Sequence, residues 1–299
     1  MPETYGILVG VDGSAASDAA VRWATREAIL RDELITLVHV VAPVIASWPV
    51  GPMQANFAKW QKESARDVVE QARKTLCAEV GEAPPEVRTG VLYSQYSHVV
   101  PTLIDASKQA RMVVAGSRGT GAADPLPMGS VSTSLIHHAH CPVAVIRGEE
   151  ASAANQDAGV LVGIDGSPAS EAATAWAFDE ASRQGLPLVA LHACSDVGDY
   201  PILDTDWRKY ERQGEKALTK RLAGWQGQYP NVHVRRRLEW NQPARWLVEE
   251  SEHAQLVVVG SHGRGGFAGM SLGSVGAAVA QSAKVPVVVV RTRSGDSAP

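Results

Sequence analysis

The sequence predicts two tandem α/β domains, each a doubly wound, five-stranded parallel sheet. Three observations carry this. One unit is written twice: "GILVGVDGSAASDAAVRWATREA" (6–28) aligns without a gap to "GVLVGIDGSPASEAATAWAFDEA" (159–181), and "MVVAGSRGTGAADPLPMGSVSTSLIHHAHCPVAVIR" (112–147) to "LVVVGSHGRGGFAGMSLGSVGAAVAQSAKVPVVVVR" (256–291). Runs such as "GILVGV", "ITLVHV", "RMVVAG" and "PVAVIR" are almost continuously aliphatic, as strands buried on both faces of a parallel sheet are. These runs alternate with segments of helical apolar spacing, and strand alternating with helix makes the doubly wound sheet the default.

Each copy reads strand, helix, strand, helix, strand, helix, strand, loop, helix, strand. The first strand closes on "VGVDGS" or "VGIDGS". In the second copy Ser167 is placed to cap the helix that follows, Pro168 suits its first position, and Glu171 lies in the first turn where the helix dipole favours an anion. Trp23 aligns with Trp176 and Glu27 with Glu180. The second strand carries His39 in one copy and His192 in the other, both read as packed, hydrogen-bonded histidines rather than general bases. The proline-rich stretch "APVIASWPVGPMQANFAKW" (42–60) reads as a loop lying over its own domain, with an interface loop as the other option. "RRR" (235–237) reads as a solvated strand end. "HHAHC" (137–141) ends a helix, where cationic side chains suit the dipole, and the aligned "QSAKV" gives no support for a metal site. These signals place one domain at 1–147, a small-residue linker at 148–158, and a second domain at 159–293.

Composition bounds the rest. The chain has 299 residues, 45% hydrophobic and 20% charged, with a net charge of -4. That balance leaves no electrostatic footprint for nucleic acid and no polybasic stretch for a membrane surface. "MPETYGILVGVDGS" does not read as a signal peptide, and no run approaches the ~20 apolar residues of a spanning helix. Cys77, Cys141 and Cys194 are too scattered for a disulfide framework and read as small buried hydrophobes in a reducing cytoplasm.

The glycines after the fourth strand carry the functional signal. In such sheets, ligands sit outside the carboxyl ends of the strands, where strand order reverses. Both copies there keep Gly, two residues, Gly, nine residues, Gly-Ser: Gly116, Gly119, Gly129 and Ser130, then Gly260, Gly263, Gly273 and Ser274. Glycine allows close backbone approach, successive N–H groups make an anion-binding concavity, and the helix opened by "GSV" offers uncommitted N–H donors. A phosphate chain fits such a cradle without a lysine. Walker A is absent, because no Gly-Lys pair occurs. "GRGGFA" (263–268) matches the dinucleotide fingerprint formally, but it follows the wrong strand, and the first copy breaks it with "GTGAAD".

That spaced pattern, with "VGVDGS" closing the first strand, resembles the universal stress protein family over nearly the whole chain, as two tandem family domains. The resemblance implies Rossmann-like domains of strand order 3-2-1-4-5 that bind ATP, with Mg²⁺ accompanying it through the phosphates. It implies that Asp12 and Asp165 lie near ribose and adenine, that Gly10 and Gly163 pass close to the nucleotide, and that Val40 and Ala193 meet adenine through backbone. The Gly116–Gly119 and Gly260–Gly263 turns, with Gly129, Ser130 and Val131 or Gly273, Ser274 and Val275, would hold the phosphates, and Gly266 joins the second loop. Where the second loop has Gly266, Gly269 and Ser271, the first has Ala122, Pro125 and Pro127, so the first is expected to be stiffer. The apolar last strands, "CPVAVIR" and "VPVVVVR", are expected to pair across the tandem, as the family dimerises, and a homodimer is also open. The implied role is a cytoplasmic sensor or regulator with no assigned catalytic or metal-binding residue. Slow ATP hydrolysis, an enzyme on the same fold (without its "SGGxDS" or "HxGH" signature), and a protein-interaction scaffold with vestigial sites stay open.

Overall fold

A computed structural model describes residues 5–43, 51–80, 85–95, 98–120, 128–147, 158–194, 204–263 and 272–291. The chain divides into two compact units, Met1–Gly148 and Glu149–Pro299. In the first, β1 (Gly6–Gly10), β2 (Ile35–Val41), β3 (Val87–Tyr93), β4 (Ala110–Gly116) and β5 (Val143–Ile146) form a parallel sheet of order β3-β2-β1-β4-β5. In the second, β6 (Gly159–Gly163), β7 (Leu188–Cys194), β8 (Val234–Trp240), β9 (Ala254–Gly260) and β10 (Val287–Val290) repeat it as β8-β7-β6-β9-β10.

Helices α1 (Ala15–Arg31), α2 (Gly51–Glu79), α3 (Val100–Ser107) and α4 (Ser130–His138) connect the first set. Helices α5 (Pro168–Gln184), α6 (Asp204–Gln228), α7 (Pro243–Ser251) and α8 (Ser274–Ser282) connect the second. Strand order moves one way from β1 to β3 and the other way from β4 to β5. Right-handed crossovers therefore put α1 and α2 on one face and α3 and α4 on the other. Leu8, Val9, Val113, Val114, Val143 and Ala144 are fully buried as a result. Successive residues of each strand point to opposite faces, so both faces of the sheet are covered, which explains the unbroken aliphatic runs.

Helix caps follow the local chemistry. Ser14 and Ser167 take extended conformations, and their side chains accept from the N–H of Ser17 and Ser170. Both helices end in a left-handed residue, Gly185 after α5 but Asp32 (φ 51°) after α1.

Two expectations need correction, and a third gains detail. Residues 51–60 are not loop: α2 begins at Gly51, with Pro52 in the first turn, where its missing N–H has no intrahelical acceptor to lose. Residues 44–50 lie outside those described. Cys77 is exposed on α2, while Cys141 is buried, so only the latter packs as a small hydrophobe. The "RRR" run lies in the first half of β8, with Arg235 and Arg236 exposed, and its solvated side chains also make specific contacts. Arg235 and Arg237 pair with the buried Glu250 of α7, and Arg236 donates to Thr219 of α6. None of the described helices is long and apolar enough to cross a membrane.

Candidate functional site

Each unit has a cleft at the carboxyl ends of its strands, where strand order reverses. The first has a volume of about 480 Å³ and the second about 300 Å³. Gly10, Asp12, Val40, Gly116, Gly119, Gly129, Ser130 and Val131 all line the first. Gly163, Asp165, Ala193, Gly260, Gly263, Gly273, Ser274 and Val275 line the second. Gly266 falls outside the described residues, as do Ala122, Pro125, Pro127, Gly269 and Ser271.

The back wall is built by the strand ends. Val11 N–H donates to Val38 O, and Ile164 N–H to Leu191 O, extending the ladder past β1 and β6. His39 Nδ1 meets Val11 O at 2.7 Å, and His192 Nδ1 meets Ile164 O at 2.6 Å. A carbonyl only accepts, so each imidazole donates through Nδ1. These bonds tie the end of the second strand, and with it Val40 or Ala193, to the residue that follows the first.

The floor is the glycine loop. Gly129 N–H donates to Ser117 O, and Gly273 N–H to Ser261 O, both at 2.7 Å, bringing the two ends of each loop together. Gly129 and Gly273 then serve as N-caps of α4 and α8, with no side-chain hydrogen bond to the first turn. The first-turn amides, those of Ser130 and Val131 or Ser274 and Val275, therefore face the cleft uncapped by any side chain. Gly116 and Gly260 have a different reason to be glycine. A Cβ on either would lie 2.6 or 2.7 Å from the backbone of Ala16 or Ala169, so they admit the start of α1 or α5 against the sheet.

The charges differ between the copies. Arg118 lines the first cleft and His262 the second. Burial pushes the Arg147 guanidinium below its ordinary range, and the positive charge of Arg118 acts in the same direction. An anion beside Arg118 would relieve that repulsion.

Sequence reasoning missed the apolar wall of each cleft: Val99 and Leu103 in the first, Pro243 and Leu247 in the second. The signal was available. The register that pairs Met112 with Leu256, carried upstream, pairs Leu103 with Leu247 and Val99 with Pro243. Backbone donors, strand-end backbone and aliphatic side chains lining one cleft suit a ligand with an anionic tail and a flat apolar body. Both volumes fall in the usual range of small-molecule pockets, about 300–1,000 Å³.

Comparison with known proteins gives the family. A family model, the universal stress protein family, matches residues 6–147 and again 159–291. A universal stress protein of Mycolicibacterium smegmatis is 57% identical over 290 residues, covering 97% of this chain and 98% of that one. One of Mycobacterium tuberculosis is 49% identical over 290 residues, covering 96% and 97%. Among solved structures, a universal stress protein from Archaeoglobus fulgidus shares the fold at a TM-score of 0.69 and 21% identity, covering 97% of each chain. The chain belongs to the universal stress protein family and carries that family's domain twice.

Proposed function

We propose that each cleft binds one ATP and that the protein is a cytoplasmic sensor or regulator whose conformation follows nucleotide occupancy. The observation that carries this is that, in both units, one cleft is lined by a glycine loop, by the start of a helix with no side-chain cap, and by aliphatic side chains. The amides suit a triphosphate, with Mg²⁺ held through its phosphates, and the aliphatic wall suits adenine. Occupancy acts on downstream partners by stabilising one conformation over another. The apolar last strand of each unit is covered in the working protein, by its counterpart in the tandem or by a second copy.

The test is to denature protein purified from cells and identify the released nucleotide by mass, alongside thermal melts with added ATP. ATP is expected among the released species. A ligand at a hundred times its Kd stabilises the folded state by about 2.7 kcal/mol, so a rise in Tm of several degrees is expected. A Gly273→Glu, Ser274→Glu double variant puts carboxylates where phosphate would sit and should halve the bound nucleotide. No released nucleotide and no thermal shift would instead favour the scaffold with vestigial sites.

A further inference from the structure

The two clefts share a plan but not a width, and they differ in the connection that leads into the apolar wall. In the first unit five residues, 94–98, join β3 to the wall residue Val99. In the second only Asn241 and Gln242 join β8 to Pro243. The shorter connection turns through two successive residues of positive φ, Asn241 at 49° and Gln242 at 47°. That conformation costs energy for any residue but glycine, and asparagine tolerates it better than glutamine. The wall behind it stands closer to the sheet. A Cβ built on Gly163 would lie 3.0 Å from Leu247 Cδ1, whereas one on Gly10, the aligned position, would lie 3.8 Å from Leu103 Cδ1. The cleft volumes fall in the same order, about 300 Å³ against about 480 Å³.

Helix α7 is also fastened to β8 at two points. In its first half, Trp246 Nε1–H donates to Trp240 O at 3.1 Å, and the guanidinium groups of Arg237 and Arg245 lie 5.9 and 5.2 Å from the centre of the Trp246 ring. Near its end, the buried Glu250 accepts from Arg235 at 2.6 Å and pairs with Arg237. The register that aligns the two walls puts Thr102 and Ala106 of α3 at the positions of Trp246 and Glu250, and strand pairing puts Gly90 of β3 at that of Arg237. None of the three can make these contacts, because threonine has no indole, alanine no carboxylate and glycine no side chain.

We propose that the second cleft is the size-selective one. The short corner and the two fastenings of α7 hold Pro243 and Leu247 close to the strand ends, so this cleft favours an unsubstituted adenine nucleotide over one with an enlarged base. The first cleft, with its longer connection and its wall set further out, accepts both. Trp246 acts through Pro243 and Leu247 and is a positioning residue. This rests on the ATP reading of both clefts, with the base against the aliphatic wall.

The test measures binding of ATP, 2-methylthio-ATP, N6-benzyl-ATP and inorganic triphosphate by calorimetry, one cleft at a time in the full chain. The Gly273→Glu, Ser274→Glu background isolates the first cleft, and a Gly129→Glu, Ser130→Glu background the second. Pressing extra groups against a packed wall costs about tenfold or more in affinity. For at least one analogue, the loss relative to ATP should therefore be about tenfold or more greater in the second cleft than in the first. A base position that disturbs a contact common to both clefts cancels in that comparison. Replacing 241–242 by residues 94–98 of the first unit should bring the second cleft's losses down to those of the first, with triphosphate unchanged. Trp246→Phe keeps a ring but loses the N–H, and should shift the same ratio in the same direction by about threefold. That variant decides the matter should the longer corner fail to fold. Equal losses in both clefts overturn the proposal and leave the ATP reading standing. Losses that neither variant changes overturn it too, as does a variant that weakens ATP, analogues and triphosphate alike, because the corner then only supports the fold. Protein that binds neither ATP nor triphosphate in either background removes the nucleotide reading, and this inference with it.

Discussion

A single methyl group at position 116 would collide with the backbone of Ala16, and the same holds for position 260 and Ala169. Backbone cannot swing aside as a side chain can, so Gly116→Ala is expected to destabilise the protein by about 1–3 kcal/mol, the usual cost of overpacking. Gly90 has open space around its would-be Cβ. Gly90→Ala should change stability by no more than about 1 kcal/mol, and toward stabilisation. Denaturant melts of the two variants check both. The contrast marks the limit of legibility at this scale. The repeat made the spaced glycines visible, yet could not say that one admits a helix, one a carboxylate, and one caps the next helix. Those reasons live in contacts between residues about a hundred positions apart, such as Asp12 with Thr120. Periodicity and local propensity do not carry such information.

Elements were read more fully. Unbroken aliphatic runs gave the strands because helices cover both faces of each sheet, and Ser167 with Pro168 announced α5 because capping is local chemistry. Gly185 closes α5 in the left-handed conformation that glycine adopts without strain, and Asp32 takes the same role after α1. The start of α2 was missed because prolines on both sides of position 50 read as loop, though proline is welcome in a first helical turn. One contact between elements has a pH signature. Lys284, in the turn before β10, donates to Glu252 at the end of α7 at 3.0 Å. That hydrogen bond, then the lysine's charge, holds the Glu252 carboxyl below its ordinary value. A depressed carboxylate contributes stability above its unfolded pKa and loses it as pH falls through the folded one. Both side chains are exposed, so the contribution is small. NMR titration of the Glu252 carboxyl should give a midpoint below that of an unpaired glutamate, and Lys284→Ala should return it to the ordinary value.

For the whole molecule, duplication was the most legible feature, and it also shows where the halves have parted. The first cleft is larger and has Arg118, and the second has His262 at the aligned position. Arginine is a permanent cation able to pair with phosphate through two N–H groups. Arg118→His, which gives the first cleft the second's residue, is expected to weaken ATP there by about three- to tenfold. The loss should shrink as salt rises. Calorimetry in the Gly273→Glu, Ser274→Glu background isolates that cleft, and an unchanged affinity would remove Arg118 from phosphate recognition. Among the described residues, each cleft is walled by its own half of the chain alone. Under the proposed nucleotide reading, a lone domain is either filled or empty, whereas two unequal clefts pass through three dominant states as nucleotide climbs: none filled, the tighter one filled, both filled. One chain would then report a graded supply and not merely its presence.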